Sequence, residues 1–178
     1  MHLEPIISIF SDEIFKLVSD NSEHIYKNET LRPSVTFWDS SKVELSRPVL
    51  THRLPTPDEV YQKISEEVKR IDESKEIKEI SYYYWTPGSY MPWQGYDDSI
   101  SDSLTVYLNS EWKIKDGGIL LHASGELVGA IKPHPNLGVF KEVSAKYSTT
   151  ILGLKAPILR TLEVEFKDLK DDRTESII

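Results

Sequence analysis

The chain has 178 residues, a formal charge of −8, 39% hydrophobic and 10% aromatic residues, and no cysteine. That length and apolar content suit one domain with a real core and exclude wholesale disorder. The lack of cysteine removes disulfides, thiolate metal sites, iron–sulfur clusters and cysteine nucleophiles from consideration.

No basic stripe exists to meet a phosphate backbone, so no nucleic-acid partner is expected. No apolar run approaches the roughly 20 residues of a membrane span, and Met1-His2-Leu3-Glu4-Pro5 does not open a secretory signal. The expectation is a cytoplasmic protein with no membrane contact.

In chain order, Ile6–Phe10 predicts a short strand, and Ser11 can cap a helix with Ile14, Phe15, Leu17 and Val18 on one face. Residues 21–33 read as polar and irregular, and Val35–Trp38 as extended. Thr56-Pro57-Asp58-Glu59 starts a helix, with a threonine cap, proline in the first turn and two acids at the positive end of the dipole. Val60, Ile64, Val68 and Ile71 then recur at helical spacing, predicting a helix to about Asp72.

Beyond it the period becomes two. Strands are predicted over Ile77–Trp85, Asp102–Leu108, Gly118–His122, Glu126–Ile131, Gly138–Val143, Ser148–Leu152 and Leu159–Phe166. Pro87-Gly88, Asp116-Gly117-Gly118, Ser124-Gly125 and Pro133-His134-Pro135-Asn136 separate them. Two helices followed by seven short strands predict a mainly β (α+β) single domain, a jelly roll or α-decorated sandwich. Its parts would be a helical segment over 1–76, a β core over 77–168 and a charged, frayed tail over 169–178.

Strand alternation sorts the polar residues. In the last strand Arg160 shares a face with Leu162, Val164 and Phe166, opposite Thr161, Glu163 and Glu165. A guanidinium on an apolar face needs an anionic partner or an escape to solvent. It reads either as a core-edge ion pair or as a carboxylate-binding arginine at a barrel mouth. Ser103, Thr105 and Tyr107 form a hydroxyl face opposite Leu104, Val106 and Leu108; turned inward it would line a wet cavity, but alternation alone places it on the outside. Asp97-Asp98-Ser99-Ile100-Ser101-Asp102 lacks the spacing of a calcium loop and reads as solvated. Neither a nucleophile elbow nor a phosphate loop is present.

The run Trp85-Thr86-Pro87-Gly88-Ser89, Pro92-Trp93, Val106-Tyr107-Leu108-Asn109-Ser110-Glu111-Trp112 and Asp116-Gly117-Gly118-Ile119-Leu120-Leu121 resembles the prolyl-hydroxylase-like 2-oxoglutarate/iron(II) oxygenases. Pro133-His134-Pro135-Asn136-Leu137-Gly138-Val139-Phe140, Tyr147-Ser148-Thr149-Thr150 and the Arg160 strand continue it in order. The resemblance spans about Ile77 to Phe166. It implies a double-stranded β-helix (jelly roll, cupin-like) with N-terminal flanking helices, Fe(II) and 2-oxoglutarate as cofactors, and a small-molecule or peptide substrate.

The family binds iron with His-x-Asp and a distal histidine. This chain departs there. After Pro92-Trp93 it reads Gln94-Gly95-Tyr96-Asp97-Asp98. In one register Gln94 and Tyr96 replace the histidine and aspartate. With a gap, Asp97 or Asp98 keeps the carboxylate. Tyr147 stands at the distal histidine. Gln94, Tyr96, Asp97, Asp98 and Tyr147 are thus the candidate catalytic residues, and Gln94, Asp97, Asp98 and Tyr147 the candidate ligands of an altered metal site. Tyr107 and Arg160 match the family's residues for the distal carboxylate of 2-oxoglutarate, with Ser103 and Thr105 beside Tyr107. His2, His24, His52, His122 and His134 match no ligand position and read as surface or turn residues.

The resemblance therefore implies an oxygenase-fold protein with a degraded iron site, repurposed for small-carboxylate binding or non-redox chemistry. Its alternatives are an oxygenase with a Gln/Asp/Tyr metal site and a protein-interaction module built on the aromatic stretch Tyr82–Trp93.

Overall fold

A computed structural model of the chain describes residues 3–28, 34–35, 50–91, 93, 101–124 and 126–167. The elements are β1 (Leu3–Ile7), α1 (Asp12–Asn28), β2 (Ser34–Val35), β3 (Leu50–Pro55), α2 (Asp58–Ile71), β4 (Ile77–Trp85), β5 (Ser103–Tyr107), a 3-10 turn (Ile114–Asp116), β6 (Leu120–Ser124), β7 (Leu127–Ile131), β8 (Leu137–Lys141), β9 (Lys146–Thr149) and β10 (Leu159–Phe166). They form a jelly roll of two antiparallel sheets. The large one has strand order β1-β8-β5-β10-β4-β3-β2 and the small one β7-β6-β9. No helix among the described residues is long and apolar enough to cross a membrane.

Each face of the large sheet carries a core. On one side Ile80, Tyr82, Tyr84, Leu104, Val106, Leu162, Val164 and Phe166 pack against Val18 and Ile25 of α1 and Val60, Ile64 and Val68 of α2. On the other, Tyr107, Val139 and Leu159 meet Leu120 and Tyr147 of the small sheet, with Trp112 and Leu152 from the loops. β10 lies in the middle, hydrogen-bonded to β4 and β5.

The element boundaries differ from expectation for local reasons. β1 ends at Ile7 because Ser8 takes a positive φ of 54°, which sends Ile9 and Phe10 into the core as single side chains. Pro5, which has no N–H, is tolerated because β1 is an edge strand. α1 does not stop near residue 21. Ser22 and Ile25 continue its buried face, and the Asn28 side-chain amide donates to the His24 carbonyl at 2.8 Å in the last turn. Ser11 does accept from the Ile14 N–H, at 3.4 Å.

Thr56 is not the cap of α2. Pro57 occupies that position, and the Thr56 hydroxyl donates instead to the Ile80 carbonyl. β3 carries no clear strand signal, because Thr51, His52 and Arg53 hide its alternation; its Arg53 is answered across the sheet by Glu79. β6 starts two residues later than expected because Gly117 and Gly118 both have positive φ. Of the expected strand Val35–Trp38, Phe37 and Trp38 lie outside the described residues, as does the tail from residue 168.

Several residues that carry the family resemblance hold the loops. Asn109 donates from its amide to the Ile158 carbonyl and accepts from the Arg160 N–H, at 2.9 and 2.7 Å, clamping the start of β10. The Trp112 indole donates to the Gly117 carbonyl at 2.8 Å. A Cβ on Gly117 would sit 2.0 Å from the Ile151 carbonyl oxygen, so no other residue fits there.

Asn136, buried and at φ 56°, mimics a strand partner. Its amide donates to the Phe10 carbonyl at 2.8 Å and its oxygen accepts from the Phe10 N–H at 3.1 Å. Its own N–H and carbonyl bond Tyr107 and Ile9. Asn136→Ala would strand both main-chain groups of Phe10. At about 1–3 kcal/mol for each unsatisfied buried group, urea denaturation is expected to show a loss of at least about 2 kcal/mol.

Candidate functional site

The face of the large sheet that looks into the jelly roll carries Thr161 and Glu163 from β10, Thr105 and Tyr107 from β5, and Lys141 from β8. The registers Thr161↔Tyr107, Glu163↔Thr105 and Ser103↔Lys141 put them side by side. Trp85, Met91, Leu120, Thr149, Leu152 and Leu159 complete the walls, and the space left between them is a cavity of about 30 Å³. That volume holds one or two waters.

An ion pair fills the centre. The Lys141 side chain is 5% exposed and its ammonium lies 2.5 Å from Glu163, whose side chain is 17% exposed. The second oxygen of Glu163 accepts from the Thr105 hydroxyl at 2.5 Å. The ammonium also stands 5.0 Å over the Tyr147 ring, a cation–π arrangement. Burial works against the charged lysine, but Glu163, helped by Tyr147 and Glu165, outweighs it, and the Lys141 pKa lies above the ordinary lysine value. Burial, with Glu163 adding, also lifts the Tyr107 phenol far above the usual tyrosine range. Trp85 donates from its indole to the Thr161 hydroxyl at 3.1 Å.

The structure turns Tyr107, Thr105 and Ser103 to this inner face, whereas alternation by itself favours the outside. Tyr147, 8% exposed, joins them from the small sheet. Arg160 does not. The expectation that Arg160 and Tyr107 look into one pocket is corrected by the register, because Arg160 is one step out of phase with Thr161, the partner of Tyr107. Its guanidinium faces α1, where it donates to the Ser19 carbonyl at 2.9 Å and lies 3.7 Å from Glu23. Burial pulls its pKa down, with Glu23, Tyr84 and Asp20 opposing. Both faces of β10 are interior, and the apolar one belongs to the helices.

Gln94, Tyr96, Asp97 and Asp98 lie outside the described residues. Among the described residues no group of three or more His, Cys, Asp or Glu is placed to hold a metal ion. His122 pairs directly with Tyr147 across β6 and β9, so the two side chains share the inner face of the small sheet. His134 lies in the turn before β8, with its Nδ1 2.9 Å from the Pro135 carbonyl.

Sequence reasoning misses Lys141 and Glu163. The available signal is that each continues an uncharged strand face, Lys141 after Leu137 and Val139 and Glu163 after Leu159 and Thr161, and that the two charges are opposite.

No family model and no curated protein matches the sequence. Solved structures do match. A prolyl hydroxylase from Trichoplax adhaerens, in complex with a hypoxia-inducible-factor oxygen-degradation-domain peptide, is 13% identical over 98% of this chain and 87% of its own, with a TM-score of 0.77. A Pseudomonas putida prolyl-4-hydroxylase is 12% identical over 93% and 91%, with a TM-score of 0.67. HygX from Streptomyces hygroscopicus, bound to nickel, 2-oxoglutarate and hygromycin B, is 10% identical over 94% and 83%, with a TM-score of 0.65. The fold is therefore that of the 2-oxoglutarate/iron(II) oxygenases.

Two measurements test the ion pair. Glu163→Ala leaves a buried ammonium without its carboxylate, and loss of one partner of such a pair costs about 3–5 kcal/mol. Denaturation should show that loss, and Lys141→Met combined with Glu163→Gln should recover most of it. The second is alkaline titration. Lys141, Tyr82, Tyr83 and Tyr107 all hold their protons more tightly folded than unfolded. Their stabilisation is complete below the unfolded values near 10 and is lost as pH rises through the folded ones. Stability should stay level to about pH 9.5 and then fall, with tyrosinate absorbance from the three buried phenols appearing only as the chain unfolds.

Proposed function

We propose that this protein is an oxygenase-fold binding module that works without iron or 2-oxoglutarate. The observation that carries this reading is the Lys141–Glu163 pair. The interior that the fold offers to a 2-oxo acid is already supplied with a carboxylate, and that carboxylate is the protein's own. A second carboxylate brought to Lys141 would meet Glu163 at close range, and like charges in a desolvated site repel strongly.

The donor set does not fit iron either. The chain has five histidines and none between residues 53 and 121, where the family has its His-x-Asp motif. At the distal position stands Tyr147, whose ring lies under the Lys141 ammonium. Among the described residues the set comes to one imidazole, His122, and one phenol, a poor substitute for two imidazoles and a carboxylate. What the inner residues do is hold the two sheets together around a neutralised charge pair.

Thermal denaturation with 2-oxoglutarate, with and without Mn(II), tests the proposal. A ligand at about 100 times its Kd adds about 2.7 kcal/mol, equivalent to about 5–10 °C in Tm for a chain of this size. No shift is expected in either case. A rise that needs Mn(II) would establish a working metal site, and a rise with 2-oxoglutarate alone would establish an open carboxylate pocket. Either overturns the proposal.

A further inference from the structure

β7 forms one edge of the small sheet, whose order is β7-β6-β9. An edge strand presents a row of unpaired main-chain N–H and C=O groups, and folds commonly guard it with charge or proline. β1, an edge of the large sheet, carries Glu4 and Pro5. β7 has no such guard. Leu127-Val128-Gly129-Ala130-Ile131 holds neither a charge nor a proline. Leu127 is 76% and Val128 62% exposed, and Ala130 is exposed as well. The charges stand just outside the strand, Glu126 before it and Lys132 after it. Both are exposed, and neither is ion-paired among the described residues.

Antiparallel pairing of this strand with itself about Gly129 sets Leu127 against Ile131, Val128 against Ala130 and Glu126 against Lys132. A two-fold axis repeats each of these contacts, so opposite charges close both ends of an apolar ladder. The alternating hydrogen-bond pattern allows register shifts only in steps of two. One such shift puts Glu126 opposite Ala130. The other puts Val128 opposite Lys132 and draws Pro133, which has no N–H, into the ladder. Parallel pairing in register sets Glu126 on Glu126 and Lys132 on Lys132. At the axis Gly129 presents no side chain, and the His122 ring of β6 takes that space: a Cβ on Gly129 would lie 2.1 Å from its Nε2. From this complementarity we infer that β7 is a dimerisation strand, joining the small sheets of two copies of this chain edge to edge into one continuous sheet. The contact is on the rim of the small sheet, so it is independent of what the jelly-roll interior binds.

Sedimentation velocity on the whole chain across a dilution series tests this. A ladder of this length falls below the roughly 1,200 Å² of a standard interface, so a weak dimer is expected, half-associated at about 10–100 μM. Glu126→Lys and Lys132→Glu, each alone, set like charges together at both ends of the ladder and should weaken the dimer about tenfold or more. A mixture of the two variants should form a heterodimer of wild-type affinity, and so should the chain carrying both exchanges with itself. A wild-type chain that stays monomeric at tenfold higher concentration overturns the proposal and leaves this edge to a strand of another protein. A dimer indifferent to the single exchanges, or one that neither the mixture nor the double exchange restores, overturns it as well.

Discussion

The large sheet is buried on both faces, and the placement of each charged group follows from that. β10 sits at its centre with helices on one side and the small sheet on the other, so most of its side chains on both faces are shielded from water. Charged residues on such a strand need partners within the fold. Arg160 finds a helix carbonyl and Glu23 on one side. Glu163 finds Lys141 and Thr105 on the other. Arg53, Glu79 and Glu165 continue the pattern along the inner face toward β3.

This arrangement accounts for the contrast between scaffold and chemistry. Asn109, Trp112, Gly117 and Asn136 match the family pattern, and each makes a loop or strand contact that the fold needs. A fold and the chemistry placed on it rest on different residues, so the loss of iron chemistry proposed above would leave these contacts intact.

Most of the architecture is legible in the sequence. The strands Ile77–Trp85 and Leu159–Phe166 are bounded to the residue by alternation and turn chemistry, and α2 is marked by its period and by Asp58 and Glu59 in its first turn. The hydroxyl face of Tyr107 is legible as a unit. What alternation cannot supply is which buried face a residue occupies. A period of two separates two sides, but it labels them inside and outside only when one side is wet. Arg160 reads as interior from its own strand and Tyr107 only through the resemblance; both are interior, yet the hydrogen-bonded backbone of the large sheet lies between their side chains. The Lys141–Glu163 pair is illegible for a related reason. A charge on a strand looks solvated until its partner, 22 residues along the chain, is known to lie across the sheet.

The Asn136 clamp has a consequence for how the chain reaches its structure. Phe10 is held by a residue 126 positions later, and β1 pairs along its length with β8. β1, one edge strand of the large sheet, thus cannot dock until β8 has been made. During synthesis Ile9 and Phe10 leave the ribosome early and wait, apolar and unpaired, for the turn at Asn136. Contacts of such long sequence separation cost loop-closure entropy before they return any stability. Docking of β1 is therefore expected late in folding, and a chain interrupted before Asn136 would leave the β1 segment without its partner strand.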